Sequence, residues 1–533
     1  MTSPAVSERS RHSIAREVWW IFFVGAVLRL VFFFFAENNG GDALARAAMT
    51  AGWLKHPGSL LNFEPWLPVH FWLMAGMSVI VGEPALGARM LSLLLGIASL
   101  GIFWLLAREI YGCSAATLSL MVFTLYSLHI GYSTTSSSEV PYLFFMLVGL
   151  LGFFLYRRSG SLATLGVAAL ALGISAGIRY EAWVCIFAVV LILIFMTRPD
   201  VTGGFWRTEH VREVLLFGTI AGSWPLFWLI YQWKAFGRPL YGVTMNYKWV
   251  VEQVAIEHRS RLYHMVLSPA VILLTLSPVI VAASLYGLAR GLRESAGREF
   301  AMIFVIMGAV FSYQILAGGL LPLARYTITL GTLLALASGY GLDQFGQSLS
   351  QQRVRQFRTA IALLLILNLG AILALSEEQN RFSDQFSAIS PRLRFRNHIE
   401  EVRRYLKPRL KPEDAVVIDD YNVESNIIAA AIGLPLDTGG RAFLASSQPL
   451  SNLPEYMSRK HPRYLIYSDR GVLKPYLALP DNCPASFVTK GMEFQCLLAN
   501  DIYRVYDVAY ALPADDSLRT QQTTSLRESP PTW

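Results

Sequence analysis

Over its first 376 residues the chain alternates between long apolar runs and short polar turns. A run of about 20 apolar residues, coiled as a helix, matches the thickness of a bilayer's hydrocarbon core. Eleven such spans are expected, at 18–36, 87–107, 114–131, 140–156, 162–178, 182–197, 214–231, 266–288, 299–317, 323–342 and 359–375. A further apolar stretch, 66-WLPVHFWLMAGMSVIVG-82, is short and opens with Trp and Pro. It is expected to lie at the outer surface as an interfacial or re-entrant helix. The pattern therefore predicts a helical, multi-pass membrane protein.

Past residue 376 the pattern changes. The segment 394-RFRNHIEEVRRYLKPRL-410 places Ile399, Val402 and Leu406 on one face of a helix. The runs 414-DAVVIDDY-421 and 463-RYLIYSDR-470 read as strands between polar turns, and 424-ESNIIAAAIGLP-435 reads as the helix after the first strand. The expected organisation is a transmembrane domain over 1–376, a small soluble α/β domain over 377–513, and a disordered tail over 514–533. No internal repeat recurs at a fixed period.

Composition agrees with this reading. Of 533 residues, 54% are hydrophobic and 15% charged, against roughly 25% charged in soluble chains. The net charge of +8 is no sign of nucleic-acid binding, because the arginines sit in short loops between apolar runs. Arg9, Arg11 and Arg16 precede the first run as in a signal peptide. That run, however, ends in FFFFAEN rather than at small residues, so it is read as a retained helix.

Loop charge sets the orientation. With the N-terminus inside, the inner loops carry Arg108; Arg157 and Arg158; Arg198, Arg207 and Arg212; Arg290, Arg293 and Arg298; and Arg353, Arg355 and Arg358. The turns 131-GYSTTSSSE-139 and 318-GGLLPLAR-325 fall opposite, as does the soluble domain. The outer loop 232–265 is an exception, with Lys234, Arg238, Lys248, Arg259 and Arg261. The assignment requires that 66–82 does not cross. Cys113 and Cys185 lie in or beside apolar runs. If the C-terminal domain is outside the cytoplasm, Cys483 and Cys496 are candidates to pair.

Ionisable residues at span ends or within spans carry a free-energy cost and call for a reason. Asp42, in 38-NNGGDALARAAMTAGW-53, reads either as an N-cap with Arg46 at i+4 or as a catalytic carboxylate. Glu139 follows a hydroxyl-rich, wet turn and starts a helix ahead of Pro141. Arg179 and Glu181, in 177-GIRYEAW-183, read as a mutual pair or as part of a site. Arg325, beside Tyr326, is either an interfacial anchor or a ligand for a lipid phosphate. Arg29, inside the first span, reads as a buried arginine satisfied by carbonyls or by a carboxylate from another helix. His70, His129, His258 and His264 have no metal-ligand spacing. Neither a metal nor another cofactor is expected.

Carboxylates, guanidiniums, a basic loop and a soluble domain thus fall on one expected membrane face. At these residues the chain resembles the GT-C superfamily of integral membrane glycosyltransferases, above all protein O-mannosyltransferases and lipid A aminoarabinose transferases. The resemblance rests on 41-GDALARAAM-49, on 64-EPWLPVHFWLMAG-76, on 84-PALGARMLSLLLGIASLGIFWLLAREIYG-112, and on the RYEA and LARYTI segments. It covers most of 18–342 in architecture. It implies a GT-C fold with about eleven transmembrane helices and outer-surface juxtamembrane helices. It also implies inverting transfer of a sugar from a polyprenyl-phosphate donor to an acceptor protein, lipid or glycan at the outer face of the cytoplasmic membrane. Asp42 would be the base. Arg325 and Tyr326 would meet the lipid phosphate, while Glu139, Arg179, Glu181, Arg259 and Arg261 would bind substrate. The chain departs from the family in having Asp42-Ala43 for an Asp-Glu pair and Glu64-Pro65-Trp66 with Pro68 for a Pro-Pro. These departures bear on substrate subclass more than on reaction type. The alternatives weighed are a transporter or flippase of lipid-linked saccharides, and a scaffold or sensor working through residues 377–510.

Overall fold

The computed structural model describes residues 4–35, 41–55, 57, 66–196, 208–245, 247–248, 261–317, 319–320, 324–379 and 398–510, the last without 420–427, 430–431, 435–439, 446–447, 469–470, 481 and 501. The chain divides into two compact units, Met1–Phe395 and Arg396–Trp533.

The first unit is a helical bundle. Its elements are α1 (Pro4–Phe35), α2 (Gly41–Lys55), α3 (Val69–Val81), α4 (Pro84–Tyr111), α5 (Cys113–Thr124), α6 (Ser127–Tyr132), α7 (Glu139–Ser159), α8 (Leu162–Ala176), α9 (Glu181–Phe195), α10 (Thr208–Phe236), α11 (Arg261–Leu276), α12 (Pro278–Gly291), α13 (Ser295–Leu316), α14 (Ala324–Gly346) and α15 (Gln351–Gln379). Among the described residues six helices are long and apolar enough to cross a bilayer, or seven if one bent pair counts as a span. That falls short of eleven full-length crossings, because α5, α8 and α9 are shorter apolar helices and the 23-residue α14 is not among the six. Large apolar side chains stay exposed on the outer helices, among them Trp19, Phe23 and Phe34 on α1, Leu215 and Trp233 on α10, and Leu367 on α15. Such a surface is stable against hydrocarbon, not water.

Two expected spans are broken. The run 266–288 forms α11 and α12, bent by 100°. Pro278 has no N–H to continue the first helix, and Ser277 turns to φ 72° while its Oγ accepts the Ile280 N–H at 3.4 Å. The run 114–131 breaks at Leu125–Tyr126, where Tyr126 is extended. The broken end exposes the Thr124 carbonyl, and buried Arg29 donates to it at 3.4 Å and to Gly25 O at 3.0 Å. Arg29 Nη2 also lies 2.7 Å from His129 Nδ1. Arg29 is therefore a structural tie, held by carbonyls and an imidazole rather than by a carboxylate.

Polar contacts sort the helix ends into two groups. At one end Arg157 pairs with Glu299, Arg158 with Glu109 and Arg358 with Glu17, while Tyr340 donates to Glu294 and Ser114 to Asp343. These residues close α7, α4 and α14 and open α13, α5 and α15. At the other end lie the start of α7, the α8–α9 link and the start of α14. Eighteen residues of α7 separate Glu139 from Arg157, about 27 Å at helical rise.

Both ends of α3 belong to this second group. The Val69 N–H donates to Gly177 O at 3.1 Å. At its far end Ser78 Oγ donates to Met74 O at 2.7 Å and to Pro84 O at 3.3 Å. Arg89, one turn further along α4, donates to Thr134 O at 2.9 Å. α3 is tied to one bundle end at both termini, and its 13 residues span only about 20 Å against the ~30 Å core.

Backbones approach closely where small residues meet. A Cβ on Gly339 would run into Ala115 O of α5, and one on Gly287 into Ala337 O of α14. This is the packing that membrane helices favour, since apolar side chains gain little by leaving lipid for each other.

The second unit holds a six-stranded sheet in the order β2-β1-β3-β6-β5-β4. β1 (Val416–Asp419), β2 (Ala442–Leu444) and β3 (Tyr464–Ser468) are parallel; β4 (Ser486–Thr489), β5 (Met492–Ala499) and β6 (Tyr503–Tyr510) extend it antiparallel. Val417, Phe443, Leu465 and Phe494 share its core. The expected amphipathic helix is α16 (His398–Leu406), with Val402 and Leu406 buried. The expected helix at 424–435 lies mostly outside the described residues. Cys483 and Cys496 are joined in a disulfide.

Candidate active site

The turn before α7 is buried, where an open turn was expected. Ser133, Thr134, Ser136, Ser137 and Ser138 are all buried. Their groups tie helices together: Ser136 Oγ donates to Ala43 O at 2.8 Å, and Ser92 Oγ to Ser137 O at 3.4 Å. The first bond holds the opening turn of α2 against the start of α7. Glu139 then begins α7 and is itself buried. Its reading as a helix start is correct and incomplete, because its side chain also meets Arg179.

Arg179 is the hub. α8 ends at Ala176 and α9 begins at Glu181, so Arg179 lies in the link between them. Its Nη1 donates to Glu139 Oε1 at 2.6 Å and to Ser138 Oγ at 3.2 Å. Its Nε and Nη2 donate to Glu181 Oε1 at 3.0 and 2.6 Å. One guanidinium thereby bridges carboxylates from two helices, with Glu139 side chain 3% exposed and Glu181 33%. Burial opposes the Arg179 charge, but the Glu181 and Glu139 carboxylates more than offset it and raise its pKa. Burial likewise pushes Glu181 up, and Arg179 prevails, holding it below the usual carboxylate range.

Arg325 and Tyr326 open α14 beside this hub. Arg179 lies 5.9 Å from the Tyr326 ring centroid and 6.0 Å from that of Tyr142. Arg325 lies 5.1 Å over the Tyr326 ring and donates to its hydroxyl at 3.3 Å. Its charge acts on both Arg179 and Glu181. Four residues singled out in the sequence, together with Tyr326, thus converge from α7, α14 and the α8–α9 link.

Several neighbours were not singled out. Arg46 of α2 sits 4.8 Å over the Trp66 ring and 5.8 Å from Phe71. Trp228 of α10 donates to Tyr180 OH at 3.1 Å, and Tyr142 shares the Glu139 face of α7. The i+3 spacing of Glu139 and Tyr142 was a usable signal for the last of these. For Asp42 the structure gives a backbone position: α2 begins at Gly41, so Asp42 lies in the first turn rather than ahead of it. Arg259 and the side chain of Arg261 fall outside the described residues. Among the described residues no group of three or more His, Cys, Asp or Glu side chains could hold a metal ion.

Chemically, this end of the bundle offers buried, oriented cations and carboxylates beside aromatic faces. Such a site can hold an anion and place a hydroxyl-bearing ligand against it.

Comparison with known proteins supports the fold. Residues 55–221 match the family profile described as dolichyl-phosphate-mannose-protein mannosyltransferase. No curated protein matches the chain. Among solved structures, ArnT from Cupriavidus metallidurans bound to undecaprenyl phosphate superposes with a TM-score of 0.59 at 13% identity, covering 93% of this chain and 99% of that one. The apo state of the same protein gives 0.56 at 13% identity, over 92% and 98%. The archaeal oligosaccharyltransferase AglB from Archaeoglobus fulgidus is more distant, at a TM-score of 0.48 and 13% identity over 88% of this chain and 70% of that one. The chain has the GT-C fold of integral membrane glycosyltransferases, with a small C-terminal sheet domain, and it resembles the protein O-mannosyltransferases and ArnT.

Proposed function

We propose that this chain is a membrane glycosyltransferase that moves a sugar from a polyprenyl-phosphate donor to an acceptor protein, lipid or glycan at the outer face of the cytoplasmic membrane. The observation that carries the reading is the Arg179 hub: a guanidinium held by Glu139 and Glu181, beside Arg325 and Tyr326, at the bundle end where α2 brings Asp42. The matched mannosyltransferase profile and the likeness to a protein bound to undecaprenyl phosphate support it. The Cys483–Cys496 disulfide supports an oxidising compartment for the second unit.

In the proposed reaction, Asp42 takes the proton of the acceptor hydroxyl or amine as that group attacks the sugar's anomeric carbon. The carbon–oxygen bond to the phosphate breaks, and the lipid phosphate leaves with the electron pair. Attack from the face opposite the phosphate inverts the centre. Arg325 stabilises the leaving phosphate. Glu139 and Glu181 hold the Arg179 guanidinium in place, so neither is the base. Arg259 and Arg261 belong to the basic outer loop that attracts the anionic donor.

The test is Asp42→Asn in membranes supplied with a radiolabelled polyprenyl-phosphate sugar. The expected result is loss of transfer with the protein still in the membrane. Transfer at the wild-type rate would remove Asp42 from the chemistry.

A further inference from the structure

His70 lies in the first turn of α3, fully buried, and neither ring nitrogen has a hydrogen-bond partner among the described residues. A neutral imidazole carries one donor and one acceptor. Burying both without partners destabilises the fold relative to a phenyl ring in the same space. The bundle's other fully buried histidine in the described residues, His129, has one nitrogen engaged by Arg29 at 2.7 Å.

The surroundings of His70 are cationic. The neighbouring Val69 N–H is bonded to Gly177 O at 3.1 Å, two residues before Arg179. The Phe71 ring, 6.3 Å from the His70 ring, also lies 5.8 Å from the Arg46 guanidinium. Burial, Arg46 and Arg179 all disfavour protonation of the imidazole. The ring is therefore neutral and offers an N–H in the field of two guanidiniums carried by α2 and the α8–α9 link. That position suits an anion with acceptor oxygens and repels a cation.

We propose that His70 is a substrate contact, its ring N–H donating to a phosphate oxygen of the polyprenyl-phosphate donor between Arg46 and Arg179. The opposite nitrogen then accepts from a hydroxyl of the attached sugar. This rests on the glycosyltransferase reading above and adds to it a residue that the sequence had set aside as a non-ligand. It also explains why an unsatisfied polar ring occupies a place where Phe would be more stable.

The test compares binding of undecaprenyl phosphate and undecaprenol to the purified full-length protein by native mass spectrometry, alongside thermal unfolding without ligand. Wild type is expected to prefer the phosphate. His70→Phe should weaken undecaprenyl phosphate about tenfold or more, the scale of a lost hydrogen bond to a charged group. It should leave undecaprenol binding unchanged and the unfolding temperature equal or higher. His70→Gln, which keeps an N–H, should recover part of the loss. If Phe does not fit, His70→Leu is read by the same phosphate-to-alcohol ratio. The proposal is overturned if the apolar variant binds undecaprenyl phosphate like wild type, or loses both ligands equally. If wild type itself shows no preference for the phosphate, the glycosyltransferase reading fails as well. If wild type and variant prefer it alike, only the role of His70 fails.

Discussion

The two ends of the helical bundle use their charges differently. At the end carrying Arg157, three arginines meet carboxylates from other helices: Arg157 with Glu299, Arg158 with Glu109, Arg358 with Glu17. These pairs clamp helix to helix. At the opposite end one arginine serves two carboxylates, two more guanidiniums lie over aromatic rings, and a buried histidine has both nitrogens unmatched. The buried charges at the first end, Arg157 and Glu299, are matched to each other, which folding alone explains. Those at the second are arranged around a shared place, and there a ligand supplies the missing reason.

Mutations can break this contrast. The largest effect is expected from Asp42→Asn, which should lower turnover by about a hundredfold or more, the usual contribution of a general base. At the other end Glu299→Gln should leave turnover per folded molecule unchanged. Equal losses of turnover at both ends would erase the distinction.

Next come the two buried arginines. Arg179→Ala and Arg157→Ala should each destabilise the fold by about 3–5 kcal/mol, because each strands a buried carboxylate. Only Arg179→Ala should also remove donor binding, measured on the folded fraction. Arg179→Lys sharpens the point. A single ammonium cannot reproduce a fork that reaches Glu139 and Glu181 together, so kcat/KM should fall about tenfold. Arg158→Ala lies at the small end of the scale, because Arg158 is 70% exposed and such pairs contribute about 0–1 kcal/mol.

A pH series provides the quietest comparison. The Glu181 pKa is depressed in the folded state, so its stabilising contribution is present above the ordinary carboxylate value and is lost as pH falls through the depressed one. The stability difference between wild type and Glu181→Gln should therefore stay flat from pH 8 to about 5 and shrink only in stronger acid. A difference that changes between pH 8 and 6 would contradict the pairing.

Much of this arrangement was legible in the sequence because the membrane is a strict solvent. Charges interrupting apolar runs had to sit at helix ends, and the parity of the runs placed Glu139, Arg179, Glu181 and Arg325 on one side. The structure brings those four together. The shortness of α3 was legible in its 13-residue length and its Pro-Trp opening. The breaks at Ser277 and Tyr126 were missed, since hydropathy averages over a kink that Pro278 alone announced. His70 was noted only for lacking metal-ligand spacing, because its significance lies in the absence of partners among the described residues, a property of packing rather than of spacing. In the second unit, β1 and β3 were readable as apolar runs. The antiparallel half, β4 to β6, was not, because Ser486–Thr489 and Met492–Ala499 alternate too weakly against a half-exposed sheet face.

The most direct test of the central claim is a structure of the protein with undecaprenyl phosphate. Phosphate density is expected at the end of the bundle formed by α2, α3 and the start of α14, within hydrogen-bonding reach of Arg325 and His70. Phosphate bound at the Arg157–Glu299 end, or a donor-bound state in which Arg325 and His70 both remain without contact to it, would contradict it.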